Sequence, residues 1–257
     1  MSSAAPLKPL GGKPSHWSSH RLAFSPLGSH VVINCVPSSS AAEGVAAKAP
    51  DLGVNAITIQ ANVIEAKEVA NLFKRAKAEF GNLDIVMSNS GMERFDPLSE
   101  FSEDNIDRVR SVTVTAQYFV ARQPENLLED IGRLILISSI SAITGIPNQA
   151  LYAASKAAFM GMVRCFAWDF EKRNITANYI APGGVKTDMY PEAAARYISG
   201  GNKLSEAEID ERVGRMSPFG RPSFPSDIAG IAARLPIPEV QWLTGQTVHA
   251  SGGVHMG

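Results

Sequence analysis

The sequence predicts a single α/β domain built on an open, doubly wound parallel sheet. Short apolar segments rich in β-branched residues alternate with helical segments along the chain, which is the order typical of βαβ units. Several of the apolar segments run directly into glycine turns. The 257 residues suffice for one domain with a full core, although length alone would also allow two small domains.

Two classes of segment define the predicted elements. Strands are predicted at residues 30–36, 55–63, 82–91, 132–139, 174–184 and 244–253. Residues 82–91 and 132–139 are continuous apolar runs, as in parallel strands buried on both faces. Helices are predicted at residues 65–80, with Gly81 as C-cap, and at residues 152–170. Ligands bind beyond the carboxyl ends of such strands, so residues 89–91, 138–141 and 182–187 are the candidate site.

The composition excludes several classes of function. An apolar content of 45%, a charged content of 19% and a net charge of −1 are ordinary for a globular protein and give no overall attraction to nucleic acid or to a membrane. Cys35 and Cys165 have neither metal-ligand nor CxxC spacing and suit a reduced cytosolic protein. The first ten residues lack the apolar core of a signal peptide. We therefore expect a cytoplasmic protein without a metal site.

Three polar residues have a spacing that indicates acid–base chemistry. Ser139 ends a predicted strand, and Tyr152 and Lys156 follow on one helix, four residues apart. That spacing puts both side chains on one helix face. A nearby ammonium lowers the pKa of a phenol from about 10, so Tyr152 could exchange a proton with a carbonyl or alcohol oxygen that Ser139 holds. Taken alone, the Tyr–Lys pair could equally be a half-exposed helix pair.

Several motifs together resemble the classical short-chain dehydrogenase/reductase family. They are "SNSG" at residues 88–91, "ISSISA…LYAASKAA" at 137–158, "APGGVKTDM" at 181–189, "SPFGRPSFPSDIA" and the closing "SGG". The resemblance covers residue 27 to the C-terminus and is strongest to the fungal polyhydroxynaphthalene and versicolorin reductases. It implies a Rossmann-like fold, NADPH as cofactor, and hydride transfer to a ketone or hydroxynaphthalene-type aromatic of polyketide origin in secondary metabolism.

The resemblance also implies roles for individual residues. Tyr152 would be the catalytic acid, Lys156 its partner and a ribose ligand, and Ser139 the donor to the substrate oxygen. The other implied cofactor-binding residues are Asn34, Asn62, Val63, Asn89, Ser90, Gly91, Arg122, Pro182, Gly183, Val185 and Thr187. Asn34, as the end of the second strand, lacks the carboxylate that binds a free ribose 2′-hydroxyl, which favours NADP.

Each of these residues also has a purely structural interpretation. Asn62 and Asn89 could be turn residues at strand ends, and Pro182 and Gly183 could merely turn the chain. Arg122 is as compatible with a solvated helix surface as with a cofactor contact.

The segment before the second predicted strand departs from the family. The family has a strand and a T-G-x-x-x-G-x-G phosphate loop there, whereas "KPSHWSSHR" at residues 13–21 contains no glycine, and Pro26 follows within the expected first helix. Glycines let the backbone approach a pyrophosphate. The codons of residues 15–20 can be read in another frame. If the serines use TCN codons, translation that begins at the third base of the Ser15 codon is compatible with Ala-Leu-Val-Ile-Thr, a typical first strand. We therefore hypothesise a frameshift or misplaced splice boundary within residues 1–26, which leaves the first strand and first helix defective.

Three further positions depart from the family pattern. Thr113 replaces the asparagine that completes the family's proton relay, Pro124 falls inside an expected continuous helix, and Arg234 falls on a face that is normally apolar. A proline inside a helix costs about 3 kcal/mol. Residues 187–220 are the expected substrate lid. Aromatic and methionine side chains there suit a flat aromatic ligand or could pack against one another: Met189, Tyr190, Tyr197, Met216 and Phe219.

These observations leave two alternatives to the reductase. The first is a catalytically impaired family member that acts as a scaffold or dimer partner. The second is a dehydratase or cyclase that uses Tyr152 and Lys156 for non-redox acid–base chemistry. The resemblance further implies a homodimer or homotetramer formed through the helices at residues 106–128 and 152–170, where Pro124 would disturb the first.

Overall fold

The protein is a seven-stranded parallel α/β sheet with helices on both faces. A computed structural model describes residues 7–8, 24–25, 28–35, 40–187 and 190–256. The strands are β1 (Leu7–Lys8), β2 (Val31–Cys35), β3 (Ala56–Gln60), β4 (Ile85–Ser88), β5 (Arg133–Ile137), β6 (Thr176–Pro182) and β7 (Thr247–Ala250), in the order β3-β2-β1-β4-β5-β6-β7. All strand pairs are parallel. The predicted fold class is confirmed.

Nine α-helices occur within the described ranges. They are α1 (Ser40–Ala46), α2 (Ala66–Phe80), α3 (Glu103–Arg110), α4 (Ala116–Ala121), α5 (Pro124–Leu127), α6 (Ala150–Asp169), α7 (Tyr190–Tyr197), α8 (Glu206–Arg215) and α9 (Pro225–Arg234). Gly81 caps α2 as the sequence predicts, its N–H donating to Lys77 O. None of the helices described is both long and apolar enough to cross a membrane.

Alternating side chains of the central strands fill two cores. Leu134 and Leu136 of β5 belong to the larger core, whereas Ile135 and Ile137 of the same strand belong to the second core, with Ile228 of α9. Successive side chains of a strand point to opposite faces, so the continuous apolar run at residues 133–137 covers both sides. This burial fixes the carboxyl ends of β4, β5 and β6 at one edge of the sheet.

The central strand is present but short. Leu7 pairs with Val32 of β2 and with Val86 of β4, and Lys8 pairs with Ile33. The sequence predicts no strand here, because two residues between Pro6 and Pro9 show no hydrophobic period. The segment at 13–21, the suspected frameshift and Pro26 all lie outside the described residues.

Two other expectations about elements concern Pro124 and Arg234. The helix expected at residues 106–128 is divided in front of Pro124, because α4 ends at Ala121 and α5 begins at Pro124. Pro124 follows the N-cap Gln123, and at this position the missing N–H of proline costs no hydrogen bond. Arg234 is not on an apolar face, because it is exposed at the last position of α9, where a cation complements the helix dipole.

Candidate active site

A cavity of about 250 Å³ lies beyond the carboxyl ends of β4, β5 and β6. The lid helices α7 and α8 form its other side, through Tyr190, Ala194 and Val213. Nine of the predicted site residues line it: Asn89, Gly91, Ser139, Tyr152, Lys156, Pro182, Gly183, Val185 and Thr187. The cavity therefore lies where the sequence predicts the site, at residues 89–91, 138–141 and 182–187.

Lys156 is anchored under the cavity by the end of β5. Its Nζ donates to Ile137 O at 2.8 Å, and its main-chain oxygen accepts from Ser138 Oγ at 2.9 Å. Nζ lies 5.8 Å from the centroid of the Tyr152 ring. These contacts fix the start of α6 against the sheet and place the ammonium beside the phenol.

The acidity of this pair differs from the expectation drawn from spacing. Burial raises the pKa of Tyr152 well above its usual value, the nearby Glu93 carboxylate raises it further, and a hydrogen bond with Ser139 lowers it. Burial lowers the pKa of Lys156 to about 7, although the Glu93 carboxylate raises it. The predicted lowering of the Tyr152 pKa is therefore wrong for this structure, because burial and the Glu93 charge outweigh the hydrogen bond with Ser139.

Gly91 allows a close approach to Lys156. A Cβ atom at this position would lie only 2.9 Å from Lys156 Nζ and 3.9 Å from Thr113 Cγ2. The next residue, Met92, donates its N–H to Thr113 Oγ1 at 3.1 Å. Thr113 is fully buried in a π-helical turn, Ser111–Thr115, between α3 and α4. The hydroxyl of Thr113 thus holds the loop after β4 beside Lys156.

Ser90 is turned away from the cavity. It is fully buried, and Gln117 Nε2 donates to its main-chain oxygen at 3.2 Å. The side chain of Asn89, in contrast, lines the cavity and has no hydrogen-bond partner among the described residues.

The loop after β6 is held open by main-chain bonds. Gly183 N donates to Ala250 O at 3.2 Å, and Lys186 N donates to Ser223 O at 2.8 Å. A Cβ at Gly183 would lie 3.2 Å from Ser251 Cα. Glycine therefore lets this loop pass close to the end of β7, which leaves Val185 and Thr187 at the cavity.

Arg122 lies outside this site, contrary to the prediction. It is exposed and lines a separate surface groove with Glu125, Asp169 and Phe170. Asp169 and Tyr152 are at opposite ends of α6, about 25 Å apart at 1.5 Å per residue. Arg122 is therefore not among the residues that line the cavity.

Asn34 also differs from the expectation. Strand β2 ends at Cys35, not at Asn34. The Asn34 Nδ2 donates to Ile59 O at 3.2 Å and to Ala61 O at 3.0 Å, so both of its N–H groups are used within the sheet. Asn62 and Val63 follow β3 at the same edge; Asn62 N donates to Glu68 Oε2 at 2.7 Å and Val63 is buried.

Sequence reasoning missed one charged residue of the cavity, Glu93. Its Oε1 accepts hydrogen bonds from Gln149 Nε2 at 2.9 Å and from the Tyr197 hydroxyl. Burial raises the pKa of Glu93. Glu93, Gln149 and Tyr197 belong to three separate segments, and no local spacing connects them.

The residues present fit a nicotinamide dinucleotide. Lys156 Nζ has three N–H donors and uses one on Ile137 O, which leaves two for ribose hydroxyls. Gly91 and Gly183 open the strand ends, and Asn89 has its amide available at the cavity. Within the described ranges no cluster of three or more metal-ligating side chains occurs.

Comparison with known proteins agrees with this geometry. The sequence model of a family described as enoyl-(acyl carrier protein) reductase matches residues 22–255. The hydroxynaphthalene reductase-like protein Arp2 of Metarhizium brunneum is 42% identical over 234 residues, which are 90% of this chain and 88% of that protein. The chain belongs to the short-chain dehydrogenase/reductase family.

Members of this family are oxidoreductases, and two further similarities are informative. The short chain dehydrogenase/reductase AacuN of Aspergillus aculeatus is 41% identical over 88% of this chain and 86% of that protein. A short chain dehydrogenase from Burkholderia cenocepacia, solved in complex with NADP, is 27% identical with a TM-score of 0.85, covering 98% of this chain and 97% of that one. Both agree with the family assignment made from the motifs.

Proposed function

We propose that this protein is an NADPH-dependent reductase of a polyketide-derived ketone or hydroxynaphthalene-type aromatic in fungal secondary metabolism. The observation that carries the proposal is the convergence of Ser139, Tyr152 and Lys156 on one largely apolar cavity. The name of the Metarhizium relative supports the substrate class, and the bound NADP of the Burkholderia structure supports the cofactor. The free cysteines suit a cytoplasmic protein.

Within this proposal the cofactor would lie along the edge from Asn62 and Val63 to Val185 and Thr187. Lys156 would hold its nicotinamide ribose, and Asn89 and Gly91 would lie beside its adenosine ribose. NADPH supplies a hydride when bound. Cys35, at the end of β2, brings no carboxylate to the adenosine ribose, which fits a 2′-phosphate better than a free 2′-hydroxyl.

The proton would come from this chain. Ser139 donates a hydrogen bond to the substrate oxygen and orients it towards Tyr152. The raised pKa keeps the Tyr152 hydroxyl protonated, so it can give its proton to the developing alkoxide. Lys156 stabilises the resulting phenolate because its ammonium lies 5.8 Å from the ring centroid.

Two copies of the chain could associate through α4 and α6. Tyr118 and Trp168 are 51% and 75% exposed on these helices, and Tyr118 contacts Phe166 edge-on. Large exposed aromatic side chains mark interaction surfaces. This arrangement supports a homodimer or homotetramer.

The proposal is tested by NADPH binding followed by catalysis. NADPH should raise the melting temperature of this chain by linkage, and a bicyclic aromatic ketone such as 2-tetralone should be reduced, with loss of absorbance of NADPH. Tyr152→Phe should keep NADPH binding and lower kcat by about 10²- to 10⁴-fold. Glu100→Gln, at an exposed residue outside the cavity, is the control and should change neither.

Three outcomes separate this function from its alternatives. No melting shift and no turnover would leave a scaffold as the function. NADPH binding without oxidation would also contradict a reductase. Dehydration or cyclisation that requires Tyr152 but not NADPH would assign non-redox acid–base chemistry.

A further inference from the structure

Glu93 is a carboxylate held rigidly at the wall of the catalytic cavity. It follows β4 by five residues and lines the same cavity as Tyr152 and Ser139. Both of its side-chain hydrogen bonds, from Gln149 and Tyr197, end on Oε1. Gln149 and Tyr197 also contact each other, at 3.1 Å. The carboxyl group is therefore fixed from one side by two donors.

The second oxygen of Glu93 is available to a ligand. Oε2 accepts no hydrogen bond from any residue that the structure describes. An ionised carboxylate can accept about four hydrogen bonds, and Glu93 uses two of them, both on Oε1. The site thus has a fixed acceptor with unused capacity.

This acceptor lies within electrostatic reach of the reacting groups. The Glu93 carboxylate raises the pKa of both Tyr152 and Lys156, and the Lys156 ammonium in turn favours its ionised form. Glu93 and Tyr152 also line the same cavity of about 250 Å³, so one ligand can contact both side chains. The two side chains would meet different atoms of one small molecule.

The remaining wall gives little other polar recognition on this side. Ile140, Ile146, Ala194, Val213 and Val254 line the cavity with apolar surface. A flat aromatic ring can pack against these side chains, but they cannot distinguish a hydroxyl from a hydrogen or a methoxy group by hydrogen bonding. A buried site with a fixed acceptor discriminates strongly against analogues that lack the matching donor.

We propose that Glu93 is a specificity-determining residue that accepts, through Oε2, a hydrogen bond from a phenolic hydroxyl of the substrate other than the oxygen that reacts at Tyr152. The inference rests on the proposed reductase and narrows its substrate class to polyhydroxylated aromatic ketones. A methyl ether at the same ring position would bind less well, because its oxygen has no proton to donate to Glu93 Oε2.

The test compares matched substrates in matched variants. The substrates are 2-tetralone, its four monohydroxy isomers on the aromatic ring and the four corresponding methyl ethers. A hydrogen bond to a charged group corresponds to about a 10- to 100-fold preference, so one hydroxy isomer should exceed 2-tetralone in kcat/KM by that factor. Glu93→Gln keeps an oxygen for Tyr197 and Gln149 but puts an amide donor at the place of Oε2.

The expected result is a change in preference, not only in rate. Glu93→Gln should remove the preference for the hydroxy isomer and favour its methyl ether relative to the wild type. Glu100→Gln, an exposed glutamate outside the cavity, is the control and should retain the wild-type preference. A purely electrostatic effect of Glu93 on Tyr152 and Lys156 would scale all substrates alike and shift the pH profile, which would overturn the proposal.

A binding measurement makes the test independent of turnover. Dissociation constants of dihydroxynaphthalene isomers and their monomethyl ethers, measured by calorimetry, should show the same preference and its loss in Glu93→Gln. Equal affinities for hydroxyl and ether in the wild type would contradict the inference. Absence of 2-tetralone reduction together with selective naphthol binding would contradict the reductase and leave the role of Glu93 intact.

Discussion

Lys156 is the residue whose protonation the site controls most directly. Burial lowers its pKa to about 7, although the Glu93 carboxylate raises it. In the proposed reductase the ammonium form of Lys156 would be the active one, because a cation stabilises the Tyr152 phenolate. The pKa lies inside the physiological range, so moderate changes of pH alter the fraction of competent enzyme.

We therefore predict a fall in activity on the alkaline side. The kcat/KM of reduction should decrease above about pH 7 as Lys156 loses its proton, because this parameter reports the ionisations of the free enzyme. The raised pKa of Tyr152 keeps its hydroxyl protonated near neutral pH. Tyr152 therefore causes no further change of kcat/KM in this pH range. A profile measured from about pH 5.5 to 9 checks this, and a flat profile to pH 9 would contradict it.

For single residues, the sequence predicts which side chains meet at the cavity better than it predicts their pKa values. The spacing of Tyr152 and Lys156 places them correctly on one cavity, because a helix fixes the direction of residues four apart. Their acidity could not be predicted, since it depends on burial and on the charge of Glu93 in the folded protein. Glu93 itself is separated by 56 residues from Gln149 and by 104 from Tyr197, so only the folded chain reveals the cluster.

Helices α7 and α8, within the proposed substrate lid at residues 187–220, form one side of the cavity. Helices α7 and α8 share a small apolar core of Tyr190, Ala194 and Ile209. Lys186 pairs with Asp210 of α8, which ties the lid to the loop after β6. Of the five side chains expected to suit an aromatic ligand, Tyr190, Tyr197 and Met216 line the cavity and Phe219 is 75% exposed, while Met189 lies outside the described residues.

Gly214 connects α8 to the segment that follows it. A Cβ at this position would lie 2.6 Å from Gly220 O and 3.1 Å from Arg221 N, and both atoms belong to the main chain. Gly214→Ala should therefore displace α8, lower the free energy of unfolding by about 1–3 kcal/mol, and raise KM because Val213 lines the cavity. Thermal melts and steady-state kinetics measure these two effects.

A second helical glycine provides the control. Gly230 in α9 is exposed, and a Cβ added there would meet no atom within 4 Å outside its own helix backbone. Gly230→Ala should raise the free energy of unfolding by about 0.5–1 kcal/mol without changing KM. Equal behaviour of the two variants would show that the contact with Gly220 does not position α8.

Element boundaries follow from local chemistry where a strong local signal exists. Gly81 ends α2, and Pro124 begins α5. The π-helical turn around Thr113 has no such signal, because the sequence of Ser111–Thr115 is equally compatible with ordinary helix. Its extra residue brings Thr113 under the strand-end loop, a placement decided by packing against Met92 and Gly91.

On the scale of the whole molecule, β1 joins the two halves of the sheet. Leu7 pairs with Val32 of β2 and with Val86 of β4, and Lys8 pairs with Ile33 of β2. Strands β2 and β4 each have a second parallel neighbour, β3 and β5. Pairing along β1 is therefore what connects β2 to β4.

The frameshift hypothesis has a physical consequence at this centre of the sheet. A variant in which residues 15–20 are replaced by Ala-Leu-Val-Ile-Thr, followed by the glycine-rich loop of the family, would supply a strand long enough to pair along β2 and β4. Added ladder hydrogen bonds contribute about 0.5–1.5 kcal/mol each, and the loop would offer main-chain N–H groups to a pyrophosphate. We expect a higher melting temperature without ligand and a larger shift with NADPH than in the present chain.

Two results would contradict these expectations. An intact cDNA that encodes residues 13–21 as they stand would refute a frameshift as the origin of this segment. Equal stability and equal NADPH affinity of the two chains would show that β1 as it stands already completes the sheet.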